Sequence, residues 1–129
     1  MKKRLIDEAN KIVGKFQLDG FRGNSAGTVA SALITKDGNI YTGICISMAC
    51  GIGFCAEASA VAEMLKNRET KIEMIVAVSN EGKIIPPCGR CRELLAQVDK
   101  DNLSTKIVVD DGEIKTLKEI FPDIWIDKF

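Results

Sequence analysis

The chain has 129 residues, 46% hydrophobic and 28% charged, with Lys plus Arg and Asp plus Glu each at 18. This balance fits an ordinary folded chain with a single core and excludes a low-complexity or highly charged tail as its main feature. A polyanion is normally held by a basic stripe and none is present, so no nucleic-acid polymer is expected as a partner; no apolar run approaches a bilayer span, so no membrane is expected either.

Met1-Lys2-Lys3-Arg4 is basic, but Asp7, Glu8, Asn10 and Lys11 follow at once, which leaves no hydrophobic core of a signal peptide. There are five cysteines and no histidine. An odd count without the spacing of a small secreted scaffold points to metal ligands or reactive thiols rather than disulfides. A cytoplasmic protein of one domain, residues 1–129, is expected.

In chain order, Lys3 to Phe16 reads as an amphipathic helix, with Leu5, Ile6, Ala9, Ile12, Val13 and Phe16 forming one apolar stripe. Gly20 to Gly27 reads as a loop that carries Phe21 and Arg22, most simply a loop anchored by one aromatic. Thr28 to Thr35 and Ile40 to Ser47 are β-prone runs flanking Asp37-Gly38, which predicts a hairpin. Gly51 and Gly53 then allow a sharp turn before a helix over Cys55 to Asn67. Ile72 to Ser79 is almost unbroken apolar sequence, the pattern of a strand buried on both faces. Cys88 to Val98 reads as a helix, Lys106 to Val109 as a short strand, Asp110-Asp111-Gly112 as a turn, and Glu113 to Lys115 as a further strand. Thr116 to Phe121 is a short helix, with Thr116 as N-cap, Glu119 at the capping-box position and Pro122 as its stop. This order predicts an α/β fold, a sandwich with a mixed sheet: an antiparallel hairpin first, then crossovers through helices.

Two stretches carry the chemistry, Cys55-Ala56-Glu57 and Pro86-Pro87-Cys88-Gly89-Arg90-Cys91-Arg92. Each opens a predicted helix, where unpaired N–H groups and the helix dipole favour thiolate over thiol. Pro87 suits a helix start, and Cys88 and Cys91 are one turn apart on the same face. Cys55, Cys88 and Cys91 together suit one Zn²⁺, with a fourth position left for water. Zinc lowers the pKa of such a water toward ~7. Glu57, two residues past Cys55, is then the candidate catalytic proton carrier between water and substrate. C-A-E followed by P-C-x-x-C is the three-cysteine form of a known zinc-deaminase pattern. Three thiolates leave the zinc site with a net negative charge, and Arg90 and Arg92 are candidates to offset it by hydrogen bonding to sulfur. A structural zinc module is the rival reading; it requires a fourth protein ligand, and only Cys45 or Cys50 is left to serve.

Over most of the chain, from about Val29 to Trp125, the sequence resembles the cytidine deaminase family, in its small three-cysteine branch, and within that branch the blasticidin S deaminases. The resemblance rests on Val29-Ala30-Ser31-Ala32, Asp37-Gly38-Asn39-Ile40-Tyr41-Thr42-Gly43, Cys55-Ala56-Glu57-Ala58 and the Pro86 to Leu94 stretch. It implies a three-layer α-β-α sandwich with a mixed five-stranded sheet, one zinc per subunit on Cys55, Cys88 and Cys91, and Glu57 as proton shuttle. It also implies a homotetramer with sites at subunit interfaces, and backbone contacts to the pyrimidine and its amino group around Ala56 and Pro87. The implied activity is hydrolytic deamination of a free cytosine-type nucleoside, cytidine or deoxycytidine or an analogue such as blasticidin S. The alternatives are another aminated heterocycle as substrate, or a non-catalytic structural zinc protein. The chain departs from the family at the Asn-x-Glu pair that grips ribose, which reads Cys45-Ile46-Ser47 here, and at the arginine after the glutamate, which is Ala58. Cys45 and Cys50 read first as core thiols, but Cys45 and Ser47 are also candidates to line the substrate pocket. Trp125 and Phe129 read as interface residues, and Trp125 is a further candidate to contact substrate.

Overall fold

The computed structural model describes residues 1–129. Helix α1 (Lys2–Asn10) leads to a two-residue strand β1 (Phe16–Gln17), then β2 (Ser25–Thr35), β3 (Ile40–Ser47), α2 (Ala56–Lys66), β4 (Ile72–Ser79), α3 (Gly89–Val98), β5 (Lys106–Asp110), β6 (Glu113–Thr116) and α4 (Leu117–Ile120). Single 3₁₀ turns lie at Ala49–Gly51, Lys100–Ser104 and Trp125–Lys128.

β2 is the spine of the sheet. It pairs antiparallel with β3 on one side and with β4 on the other; β5 lies parallel to β4, and β6 closes the edge antiparallel to β5. These five strands are the expected mixed sheet. β1 adds a sixth at the sheet's end, where Phe16 and Gln17 pair with Ala26 and Ser25.

Strand alternation divides the core in two. Ala30, Ala32 and Ile34 of β2 join Met74, Val76 and Val78 of β4 beneath Leu5 and Ala9 of α1. Leu33 and Ile75 face the other way, into Ala60, Val61 and Met64 of α2, Leu95 and Ala96 of α3, and Leu117 of α4. The layers are therefore α1, sheet, then α2 with α3 and α4. β4 has both faces covered, which is why its sequence is apolar without alternation.

The first helix is shorter than its apolar stripe. It ends at Asn10, not Phe16. Ile12 and Val13 are β-branched, and Gly14 follows at φ 154° with its N–H donating to the Gly27 carbonyl at 2.8 Å. Phe16 is consequently a strand residue and exposed. β2 begins at Ser25, ahead of the expected Thr28, because Ser25 and Ala26 pair with β1 and β3 at once. Cys55, Cys88 and Thr116 prove to be N-caps, and the Thr116–Glu119 capping box is formed.

Candidate metal centre and active site

β3 and β4 both run antiparallel to β2, so they are parallel to each other, and the helices that follow them, α2 and α3, start at the same end of the sheet. Two close approaches then fix Cys55. Past the 3₁₀ turn, Phe54 bridges back to β3, with Ile46 N–H to Phe54 O at 3.0 Å and Phe54 N–H to Ile46 O at 3.1 Å. Gly53 makes this possible, since a Cβ there would lie 2.0 Å from the Ile46 carbonyl oxygen. Gly43 in β3 likewise lets α2 lie directly on the strand: a Cβ there would be 2.4 Å from the Ala60 nitrogen. On the other side, Ile85 N–H donates to Ala77 O at 3.0 Å and delivers Pro86-Pro87 to the start of α3. The Cys55 side chain makes no capping bond.

The sulfurs of Cys55, Cys88 and Cys91 all lie within 4.8 Å of one another, and Cys55 Sγ is 3.6 Å from Cys88 Sγ. Tetrahedral zinc with bonds of about 2.3 Å needs sulfurs about 3.8 Å apart, so the donor set and its spacing fit the ion. Without a cation the three sulfurs work against one another, and only Cys88 follows the helix-start expectation of a favoured thiolate. The Cys91 thiol is buried and pushed far up, by burial first and then by the charges of Glu57 and Cys55. Cys55 is also raised, by burial and by its neighbour Cys88. Cys88 is opposed by burial, yet the Cys91 and Arg90 backbone N–H groups and the two neighbouring thiols hold it below the ordinary thiol value. Three thiolates this close repel one another unless a cation joins them.

Glu57 sits in the first turn of α2, 6% exposed, and burial raises its carboxyl above the usual range. No side chain hydrogen-bonds to its carboxyl. A cavity of about 150 Å³ is lined by Cys55, Glu57 and Cys88 together with Val29, Cys45, Ala77 and Ile85. Ala56, fully buried, and Pro86 complete it. Pro87 is buried next to it, lining a narrow crevice with Glu57.

The structure thus brings Cys55, Ala56, Glu57, Cys88, Cys91 and Cys45 together, with Pro87 adjacent. It does not bring in Ser47, which is exposed at the end of β3, nor Trp125, which is exposed with its ring 4.7 Å from that of Phe129. Cys50 is not a core thiol: it is exposed, at φ 60° in the 3₁₀ turn. Neither arginine donates to sulfur. Arg92 donates through Nε to the Pro87 carbonyl at 2.8 Å and through Nη1 to the Ile120 carbonyl, and Arg90 donates to the Gly53 carbonyl at 3.4 Å. Arg90 nevertheless lines a second groove, of about 390 Å³, together with Cys55 and Cys91. The cavity walls Ala77 and Ile85 carry no mark in the sequence, since both read as ordinary apolar strand or loop residues.

The family model of the cytidine and deoxycytidylate deaminase zinc-binding region matches residues 5–106. The chain is 29% identical over 97 residues to the cytidine deaminase of Halalkalibacterium halodurans, covering 73% of this chain and 74% of that protein. It is 34% identical over 82 residues to the blasticidin-S deaminase of Bacillus cereus, covering 57% of this chain and 59% of the relative. Its fold superposes on the crystal structure of cytidine deaminase from Mycobacterium tuberculosis with a TM-score of 0.78 at 22% identity, covering 96% of each chain. With its three cysteines gathered as that zinc site requires, the chain belongs to the cytidine and deoxycytidylate deaminase family.

Proposed function

We propose that the protein catalyses hydrolytic deamination of a free cytosine-type nucleoside (cytidine, deoxycytidine or an analogue such as blasticidin S), with release of ammonia. The observation that carries this reading is buried Glu57 opening into the same cavity as Cys55 and Cys88. Family membership and the names of the similar proteins support it.

Cys55, Cys88 and Cys91 hold one zinc ion per subunit. When bound, zinc supplies a Lewis acid that makes water a competent nucleophile near neutral pH. Glu57 moves the protons. It takes one from the attacking water and passes it to the ring nitrogen beside the reacting carbon. It then takes the second and delivers it to the amino group, which leaves as ammonia while the water oxygen becomes the product carbonyl. A carboxyl with its pKa raised by burial exchanges protons more readily than a solvated one. The N–H groups of the first turn of α2, beginning at Ala56, have no intrahelical partner and are suited to hold the heterocycle, and the backbone at Pro87 to hold the amino group. Arg90, beside Cys55 and Cys91, is the better placed arginine to offset the thiolate charge.

Replacing Glu57 tests the assignment. Glu57→Gln keeps the shape and one zinc per chain, and ammonia release from cytidine or deoxycytidine drops by about 10²- to 10⁴-fold. Undiminished turnover removes Glu57 from this role. A homotetramer in the cytoplasm accompanies the reading. The exposed rings of Phe21, Trp125 and Phe129 suit burial between copies, where Trp125 would approach a neighbouring site. A monomer by light scattering contradicts that part.

A further inference from the structure

The three gathered sulfurs are not equally placed. Cys88 is exposed, Cys55 is half-buried and Cys91 is fully buried. Cys55 Sγ and Cys88 Sγ lie 3.6 Å apart, in contact. Both residues line the cavity of about 150 Å³ beside Glu57, and Cys91 does not. Both are N-caps with extended backbone, so their side chains stand at the mouths of α2 and α3, whereas Cys91 lies inside the first turn of α3. Cys50 is exposed as well, but it stands outside the group.

The C-x-x-C spacing alone points to Cys88 and Cys91 as a redox pair. The geometry selects a different one. A small oxidant arriving from solvent meets the exposed Cys88, and the sulfur in contact with it belongs to Cys55, 33 residues away in sequence. A disulfide needs about 2.0 Å between sulfurs, so a closure of about 1.6 Å turns this contact into a bond.

We infer that Cys55 and Cys88 form a reversible disulfide under hydrogen peroxide, which dismantles the metal centre and switches the protein off. The Cys88 thiolate attacks one peroxide oxygen; the O–O bond breaks, hydroxide leaves, and Cys88 becomes a sulfenic acid. The Cys55 thiolate then attacks the Cys88 sulfur, the S–O bond breaks and a second hydroxide leaves. The two sulfurs give up two electrons, and the peroxide takes them up as it becomes two hydroxide ions. Only Cys91 remains of the cradle, too few ligands to hold the ion. As a modification the disulfide stands on the sulfur geometry; as a switch for deamination it rests on the deaminase reading.

The test treats the zinc-loaded wild type with stepwise additions of hydrogen peroxide. Zinc release is followed with a chromogenic chelator, and the free thiols are alkylated before digestion without reductant and mapping by mass spectrometry. The expected result is one zinc released per Cys55–Cys88 cross-link, with Cys45, Cys50 and Cys91 alkylated. Dithiothreitol with added zinc restores the zinc content, and Cys50→Ser gives the same map. A Cys88–Cys91 bond, a bond to Cys50, sulfinic acid without a cross-link, or zinc kept throughout the treatment overturns the inference. Ammonia release by the untreated protein is a separate readout: if there is none, the deaminase reading falls and the disulfide is still decided by the map.

Discussion

Asn102 is the most heavily used polar side chain in the interior. It is fully buried; Oδ1 accepts from the Ile72 N–H at 2.9 Å, and Nδ2 donates to the Thr70 and Leu95 carbonyls at 3.0 and 3.1 Å. It joins the end of α3 to the start of β4. Asn102→Ala strands these backbone groups, and a loss of about 2–4 kcal/mol in urea unfolding is expected, at unchanged m value. Nothing in Lys100-Asp101-Asn102-Leu103-Ser104 marks this residue out, because a polar stretch does not say which of its side chains the fold will close off from water. The metal cysteines were legible for the opposite reason: Cys55, Cys88 and Cys91 act from helix starts, and a helix start is a local signal. Cys45 and Ser47 show the boundary between the two cases. Alternation puts them on the same face of β3, but the strand ends at Ser47 and only Cys45 reaches the cavity.

The contact between β3 and α2 depends on the absence of one side chain. With a Cβ at position 43 only 2.4 Å from the Ala60 nitrogen, Gly43→Ala forces α2 away from the sheet and carries Cys55 with it. A destabilisation of about 1–3 kcal/mol is expected, together with faster loss of zinc to a chelator; a variant as stable and as zinc-retentive as wild type contradicts this close packing. Arg92 acts between elements in the same way. Its fork ties the residue before Cys88 to the last carbonyl of α4. Arg92→Lys keeps the charge but not the planar fork, so it should release zinc about as fast as Arg92→Ala. Rescue by lysine points instead to charge alone. The sequence offered this arginine only as a candidate partner for sulfur; the two carbonyls it holds come from distant elements and leave no trace in local spacing. The overlong first helix has a similar cause. The apolar stripe continues to Phe16, but Gly14 and its bond to Gly27 stop the helix, and that bond is a tertiary one.

At the scale of the molecule, the outer carboxylates set the response to acid. Asp99 is held below the usual carboxylate range by the Asp101 backbone N–H, Thr70 and Lys71, and Glu73 by Lys36 and Lys106. A depressed folded pKa means that the unfolded chain takes up the proton first. This stabilisation is therefore present above the ordinary carboxyl range of about 4 and is lost as pH falls through the folded values. Asp99→Asn should flatten the fall in Tm between about pH 5 and about pH 3, and an unchanged slope contradicts it. Zinc should stabilise independently, because only the folded chain gathers the three thiols; chelation lowers Tm and restored zinc recovers it. The architecture was open to sequence reading because each strand and crossover helix is written in its own period, from the Asp37-Gly38 hairpin to the two-sided burial of β4. β1, two residues long and made by pairing with Ala26 and Ser25, has no period to read. The central claim is that these elements bring Cys55, Cys88, Cys91 and Glu57 together to remove an amino group by hydrolysis. Ammonia release from cytidine, 2′-deoxycytidine and 2′,3′-dideoxycytidine, with the zinc-loaded wild type beside Glu57→Gln, tests it most directly. Stoichiometric conversion to the uracil product by wild type, lost in the variant with zinc retained, is the expected result. A zinc-loaded wild-type chain that releases no ammonia from any of the three contradicts it.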